Sequence, residues 1–358
     1  MGCVAISPAV ETVERLLQQA SRAGASDLHL DPGEQGVLVS LRTDGVLKPL
    51  ETLSRLLGPH VVGRLKALAD LLAYRTDLPQ EGRIPADRSG IDAEVRVATY
   101  PTLFGERVAL RFDAPEGQPQ DLDTLGLGAP VLAALQAALN QPEGVILLTG
   151  PSGSGKTTTL YSALRHVAAS EPRRSIVTVE DPVERRIEGV VQTQVNPAAG
   201  LTFARALRSL LRQDPEVLLV GEIRDAETAK VALEAGLTGH LVASTVHAGT
   251  APQVFTRLLE MGVEPFVLTT AVRGVMAQRL LRKRRTDGGE GYQGRVLVAE
   301  WVPLSSGLRE AVLARADGEE LTRRAREDGC RGLREEAQSL VDAGITTQEE
   351  VDRVLGLA

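Results

Sequence analysis

The chain is 358 residues long, enough for about two domains at roughly 150 residues each. A hydrophobic content of 43% supports large cores, and 47 acidic against 40 basic residues give a formal charge of −7 and a pI near 5.5. That balance argues against a dedicated nucleic-acid binder, which carries a basic excess or a basic domain, and no stretch approaches the ~18 consecutive apolar residues of a membrane span.

The N-terminus has no basic segment leading into an apolar one, so an export signal is not expected. Met1-Gly2-Cys3 invites a lipidation reading that fails at the sixth position, where Ile6 stands in place of Ser or Thr. The two cysteines, Cys3 and Cys330, build neither a disulfide framework nor a four-cysteine zinc site. The expectation is a soluble, intracellular protein that uses no metal beyond what accompanies a nucleotide.

In chain order, Val10, Val13, Leu16, Leu17 and Ala20 fall at helical spacing, which predicts an amphipathic helix over 9–23. Short strands follow at 26–30 (SDLHL) and 36–42 (GVLVSLR), with Asp44-Gly45 as a hairpin turn. A second helix is predicted over 60–73, and IDAEVRVATY and ERVALRF alternate apolar and polar residues as half-buried strands do. Residues 1–113 therefore read as a small α+β domain. Residues 114–126, rich in Pro, Gly and acid and without periodicity, read as a linker. From 127 to 285, helices alternate with the apolar runs GVILLT, SIVTVE, EVLLVGE and HLVAST, which predicts a parallel sheet flanked by helices. The basic run RLLRKRR, Arg279 to Arg285, reads as a solvated helix end. A break at 284–294 (RRTDGGEGYQG) then leads into 286–358, read as a helical C-terminal subdomain.

The strongest motif lies at the start of the second domain. Gly150, Gly155, Lys156 and Thr157 complete G-x-x-x-x-G-K-[ST] between a predicted strand and a predicted helix. Glycines let the backbone curl so that several N–H groups converge on one anion, and the following helix adds its positive end. Lysine reaches the terminal phosphates and the threonine hydroxyl can bind Mg²⁺. The expected nucleotide contacts are Gly150, Pro151, Ser152, Gly153, Ser154, Gly155, Lys156, Thr157 and Thr158.

A phosphate loop alone leaves three readings: a work-coupled ATPase, a small-molecule kinase, or a nucleotide-bound scaffold that does not hydrolyse. Downstream acids bear on the choice. SIVTVEDPVE ends an apolar strand with Glu180, Asp181 and Glu184, and VLLVGEIRD ends another with Glu222 and Asp225. Carboxylates there lie in the crevice where ligands bind, one able to orient a water and another to support the metal. TGHLVASTVH adds His240 at the start of a strand and His247 at its C-terminal end, near where a terminal phosphate would sit. In the first domain, strand alternation puts Arg96 and Arg111 on exposed faces, either as solvated surface residues or as arginine fingers reaching a phosphate on a neighbouring subunit.

Together these segments resemble the secretion and pilus-assembly ATPases of the type II secretion and type IV pilus superfamily, over nearly the whole chain. ASDLHL and LRTDGVL resemble the start of that family's second N-terminal domain, and GRIP with EVRVATYPTLFGERVALR its arginine-bearing segment. GPSGSGKTTTLY is similar to its phosphate loop, TVEDPVE to its aspartate box, LRQDPEVLLVGEIRDAETA to its second nucleotide motif and TGHLVASTVHA to its histidine box. The resemblance implies a RecA-like P-loop core after a PAS-like N-terminal domain, ATP with Mg²⁺, and homo-hexameric rings closed on nucleotide between subunits. It implies a cytoplasmic enzyme at the inner membrane that engages an inner-membrane platform protein. It makes Glu184 the catalytic base and gives Glu222, with Thr157, the support of Mg²⁺. GCRGLREEAQSLVDAGITTQEEV and PTLFGERV look more like the extension or secretion branch than the retraction branch; a small-molecule kinase and a conjugation-type traffic ATPase are the alternatives. Two departures stand out. The four-cysteine zinc subdomain usual after AQRL has no cysteine in AQRLLRKRRTDGGEGYQGR, so zinc is not expected. The sequence also starts at the second domain, which resembles the shorter competence-type assembly ATPases and leaves open the recruitment contact that many members make through a preceding domain.

Overall fold

A computed structural model describes residues 7–112, 121–286, 289 and 291–357. The Met1-Gly2-Cys3 segment and most of the predicted linker, 113–120, lie outside the described residues. The chain divides into two compact units, Met1–Gln118 and Pro119–Ala358.

The first unit runs α1 (Pro8–Arg22), β1 (Asp27–Gly33), β2 (Gly36–Thr43), β3 (Val46–Leu53), α2 (Leu57–Leu68), β4 (Gln80–Ile84), α3 (Ala86–Ser89), β5 (Val95–Thr102) and β6 (Gly105–Phe112). The strands form one antiparallel sheet in the order β3-β2-β1-β6-β5-β4. Asp44 and Gly45 both take positive φ, 50° and 80°, the turn geometry whose twist matches a two-residue hairpin. One sheet face carries Leu28, Leu30, Val95, Val97, Val108 and Leu110, packed under Val13, Leu16 and Leu17 of α1 and Val61, Val62 and Leu65 of α2. Each leucine so buried stabilises the unit by about 1.5–3 kcal/mol. The opposite face keeps the charged members of the same strands, Asp27 and Arg111 among them. The second helix ends at Leu68, short of 73, because Asp70 at φ 56° turns the chain out of the helix.

The second unit runs α4 (Ala129–Leu139), β7 (Gly144–Thr149), α5 (Lys156–Ala168), β8 (Ile176–Glu180), β9 (Val191–Gln194), α6 (Phe203–Leu210), β10 (Val217–Val220), α7 (Ala226–Leu237), β11 (Leu241–Thr245), α8 (Ala251–Glu260), α9 (Pro265–Ala271), β12 (Val272–Arg284), β13 (Tyr292–Pro303), α10 (Ser306–Leu313), α11 (Gly318–Glu327), α12 (Leu333–Asp342) and α13 (Gln348–Leu355). Its sheet has the order β13-β12-β7-β11-β10-β8-β9, parallel except for β13. This is the α/β fold with a parallel sheet flanked by helices. The central strands are unbroken apolar runs because both faces are covered. Val145 and Leu147 of β7 enter one core with α7, α8 and α9, while Ile146 and Leu148 enter the other with α4 and α5.

Two expectations are corrected. The basic run at 279–285 is not a helix end: Arg279 to Arg284 belong to β12. Its charges are accommodated singly, as Arg282 bonds Glu350 and Arg279 bonds a loop carbonyl, while Leu281 between them is fully buried. Nor is 286–358 a helical subdomain throughout. Residues 292–303 form β13, paired along β12 from Arg284↔Tyr292 to Gly274↔Pro303, and only the four helices after it match the reading. Glu350 of α13 is held by Arg282 of β12 and Arg353, which ties the last helix back to the sheet.

Candidate active site

The strand order sets the site. β7, β11, β10 and β8 are neighbours running parallel, so the segments leaving their carboxyl ends gather at one edge of the sheet. The phosphate loop follows β7, His247 follows β11, Glu222 follows β10, and Glu180 to Glu184 end and follow β8.

β7 turns through residues 150–155 into α5. Gly150 sits at φ +147°, where a Cβ would lie 2.5 Å from the Gln278 carbonyl oxygen and 2.7 Å from Ser154 Oγ, so glycine alone fits. Gly155, at φ +90°, is the N-cap of α5. The first N–H groups of α5 therefore have no intrahelical partner and offer a cradle for an anion. Lys156 Nζ folds back over the loop and donates to the carbonyls of Gly150 (2.7 Å) and Pro151 (3.0 Å). Burial pushes its pKa down; the nearby Glu222 carboxylate opposes this, and Arg279 adds to it. A half-buried ammonium held by neutral carbonyls gains more from phosphate oxygens than from its present partners.

Thr157, one residue further, donates weakly to Glu184 Oε1 at 3.4 Å. Glu222 accepts from Arg224 Nε at 2.8 Å, and its carboxylate lies 2.9 Å from His247 Nε2; Arg224 also approaches Asp181 at 3.9 Å. The loop, Glu184, Glu222 and His247 are thus brought together. A divalent cation fits this donor set: a threonine hydroxyl and carboxylates are hard oxygen ligands. Among the described residues no group of three or more His, Cys, Asp or Glu forms an all-protein metal cage; Mg²⁺ characteristically takes one or two carboxylates and completes its shell with water and phosphate oxygens.

Other candidates land elsewhere. His240 precedes β11 at the opposite end of that strand, and its Nδ1 bonds the Ala235 carbonyl at 3.1 Å, so it is not part of this crevice. Asp225 is the N-cap of α7 and accepts from Thr228 N at 2.8 Å. Glu180 is buried, accepting from Tyr161 Oη, from Thr178 Oγ1 at 2.5 Å and from Gln192 Nε2 at 3.1 Å. In the first unit Arg96 and Arg111 stand directly opposite each other on β5 and β6. The register extends this row to Arg83 on one side and to Asp27 and Arg42 on the other. Arg111 is exposed and bonds Asp27 at 3.3 Å, whereas Arg96 is half-buried, less open than strand alternation predicts.

Sequence reasoning missed Gln278, Arg279 and Tyr161. β12 runs parallel to β7 with Ala277 opposite Thr149, which carries the next two residues alongside the phosphate loop. Gln278 is buried and donates to the Ser154 carbonyl at 2.8 Å; Arg279 donates to the Gly249 carbonyl, just past His247, at 2.7 Å. These contacts span 124 and 30 positions of sequence, and no local pattern announces them.

Comparison with known proteins accords with this geometry. The family described as type II/IV secretion system protein matches residues 4–353. The type II secretion system protein HxcR of Pseudomonas aeruginosa is 42% identical over 97% of this chain and 77% of its own length. The type IV pilus assembly ATPase PilB of Thermus thermophilus is 39% identical over 96% of this chain, which spans 43% of that longer protein. Among solved structures, the pilus retraction motor PilT with bound ADP matches at a TM-score of 0.67 and 27% identity, covering 96% of each chain. With almost every residue from the first helix to the last accounted for by relatives at this identity, the chain belongs to the type II/IV secretion system protein family and is one of its ATPases.

Proposed function

We propose that this ATPase is a motor subunit that works as a homo-hexamer, hydrolysing ATP with Mg²⁺ to drive pilus or pseudopilus assembly or type II protein secretion at the cytoplasmic face of the inner membrane. The secretion and pilus-assembly names of the relatives near 40% identity support that setting. So does their identity being higher than that of the retraction motor, 27%. No helix among the described residues is long and apolar enough to cross a membrane, which suits a motor that works through a membrane-embedded platform protein.

In this reading the phosphate loop, Gly150 to Thr158, holds the nucleotide and Lys156 exchanges its two loop carbonyls for terminal phosphate oxygens. Thr157 and Glu222 hold the cation, which would neutralise phosphate charge when bound. Glu184 orients the attacking water and accepts its proton. His247, 2.9 Å from Glu222, keeps that carboxylate turned toward the phosphate end. Arg96 and Arg111 act in trans, as cations brought to the phosphates of a neighbouring subunit.

The observation that carries the reading is the approach of Glu184 to Thr157, 3.4 Å, at the mouth of the phosphate loop. Glu184→Gln keeps size and hydrogen bonding but removes the base, so turnover should fall by about 10²–10⁴-fold with nucleotide binding retained. Near-native turnover in that variant would remove Glu184 from the role. Phosphate appearing on a small-molecule acceptor, in place of free phosphate, would favour a kinase.

A further inference from the structure

The loop that carries Glu184, residues 181–190, has no regular secondary structure of its own, yet its backbone is bonded at successive positions by three side chains. Val183 N donates to Gln194 Oε1 at 3.3 Å. Glu184 N donates to Tyr161 Oη at 3.2 Å, and the backbone of Arg185 bonds the same hydroxyl. Gln192 donates to the Arg185 carbonyl at 2.9 Å and accepts from Ile187 N at 2.8 Å. Two of the three side chains converge on one buried carboxylate, because Glu180 accepts from both Tyr161 and Gln192.

Tyr161 is the link to the nucleotide. It lies four residues after Thr157 on α5, hence on the same helix face one turn deeper. The face of α5 that offers Thr157 to Glu184's carboxylate therefore offers Tyr161 to Glu184's backbone. Tyr161 is 7% exposed and belongs to the core with Ile146, Leu160 and Leu164. Burial, and then the hydrogen bond to Glu180, push the phenol's pKa well up, so the hydroxyl stays protonated and donates to Glu180 throughout the neutral range.

We propose that Tyr161, held by Glu180 and seconded by Gln192, is a positioning residue that fixes the Glu184 loop against the phosphate loop. The proposal rests on the assignment of Glu184 as base, and it gives the buried Glu180 a task away from the nucleotide. Tyr161 touches neither the phosphates nor the water; it acts only through Glu184. A base displaced by about 1 Å can cost on the order of 10²-fold in rate, while the phosphate loop and Lys156 continue to bind nucleotide.

The test is steady-state ATP hydrolysis by the assembled protein, with affinity for a non-hydrolysable ATP analogue measured alongside. Tyr161→Phe removes only the hydroxyl. We expect kcat to fall by about 10²-fold, with KM and analogue affinity within about threefold of native. Tyr161→Phe combined with Glu184→Gln should be no slower than Glu184→Gln alone, because both changes remove one function. Gln192→Met, on the half-buried edge strand β9, supplies a second variant should loss of a buried hydroxyl impair folding; it should lower kcat in the same selective way. If Glu184→Gln is inactive while Tyr161→Phe and Gln192→Met both keep native kcat, the proposal is overturned and the base assignment stands. A lowered melting temperature with unchanged kcat would make Tyr161 structural only, and losses that multiply in the double variant would give it a function independent of Glu184. Native turnover in Glu184→Gln would instead fail the base assignment, and the proposal with it.

Discussion

Gly150→Ala probes the cradle at its tightest point. An alanine at φ +147° leaves the conformations open to L residues, a strain on the order of 1–3 kcal/mol. Its Cβ would also lie 2.5 Å from the Gln278 carbonyl oxygen, roughly an ångström inside ordinary contact. β12 cannot give way readily, being hydrogen-bonded to β7 on one side and β13 on the other, with Ala277 opposite Thr149 and Gln278 opposite Ala299. The loop must therefore move, and the N–H groups that converge on phosphate move with it. At about 1.4 kcal/mol per tenfold, a 1–3 kcal/mol strain predicts a 5- to 150-fold loss of ATP affinity. Titration of a fluorescent ATP analogue measures that loss, and a thermal melt run beside it should show a decrease of only a few degrees. Native affinity with an unchanged melt would refute the argument that this position admits glycine alone.

Three further outcomes are expected. Burial works against the ionised Glu350 side chain, but bonds from Arg353 and Arg282 prevail and hold its pKa at about 2, below its ordinary 4.5. A depressed carboxylate pKa contributes stability above the unfolded value, so this contribution, about 3 kcal/mol, is present near neutral pH and lost as pH falls from about 4.5 toward 2. Glu350→Gln should lower the melting temperature at pH 7, with the gap from native narrowing across that window; a gap independent of pH would contradict it. If Arg96 and Arg111 act in trans, either arginine-to-alanine variant should lose turnover more than nucleotide affinity. Mixing it with Glu184→Gln protein should restore activity, and mixtures as inactive as their components would count against trans action. Elemental analysis should find no stoichiometric zinc, and one zinc per chain would overturn that expectation.

The parts of the site written contiguously were legible in the sequence. Gly150 to Thr157 form one uninterrupted motif, and the acids after SIVTV and VLLVG stand where buried parallel strands deliver them to a crevice. His247 was legible for the same reason. What strand logic could not separate is an acid that faces the ligand from one that serves the fold. Asp225 caps α7 although it follows a core strand, and the Asp-Ala-Glu-Thr order at 225–228 carried that capping signal. Glu180 is turned inward by its strand neighbour Thr178 and by Tyr161 and Gln192, and the last two are partners that no local pattern announces. The basic β12 was misread because its cations are satisfied by tertiary partners, Glu350 lying 68 residues away. β13 followed from that error, since its pairing depends on β12 and its own segment follows a glycine-rich stretch of sequence.

The central claim is that ATP turnover at this crevice is completed by neighbouring subunits in a ring. Its most direct test is free phosphate release with Mg²⁺ and ATP across a dilution series, with assembly state measured by light scattering on the same samples. Activity per chain should be highest where hexamers predominate and fall steeply as they dissociate. Constant activity per chain down to a demonstrably monomeric solution would contradict the account.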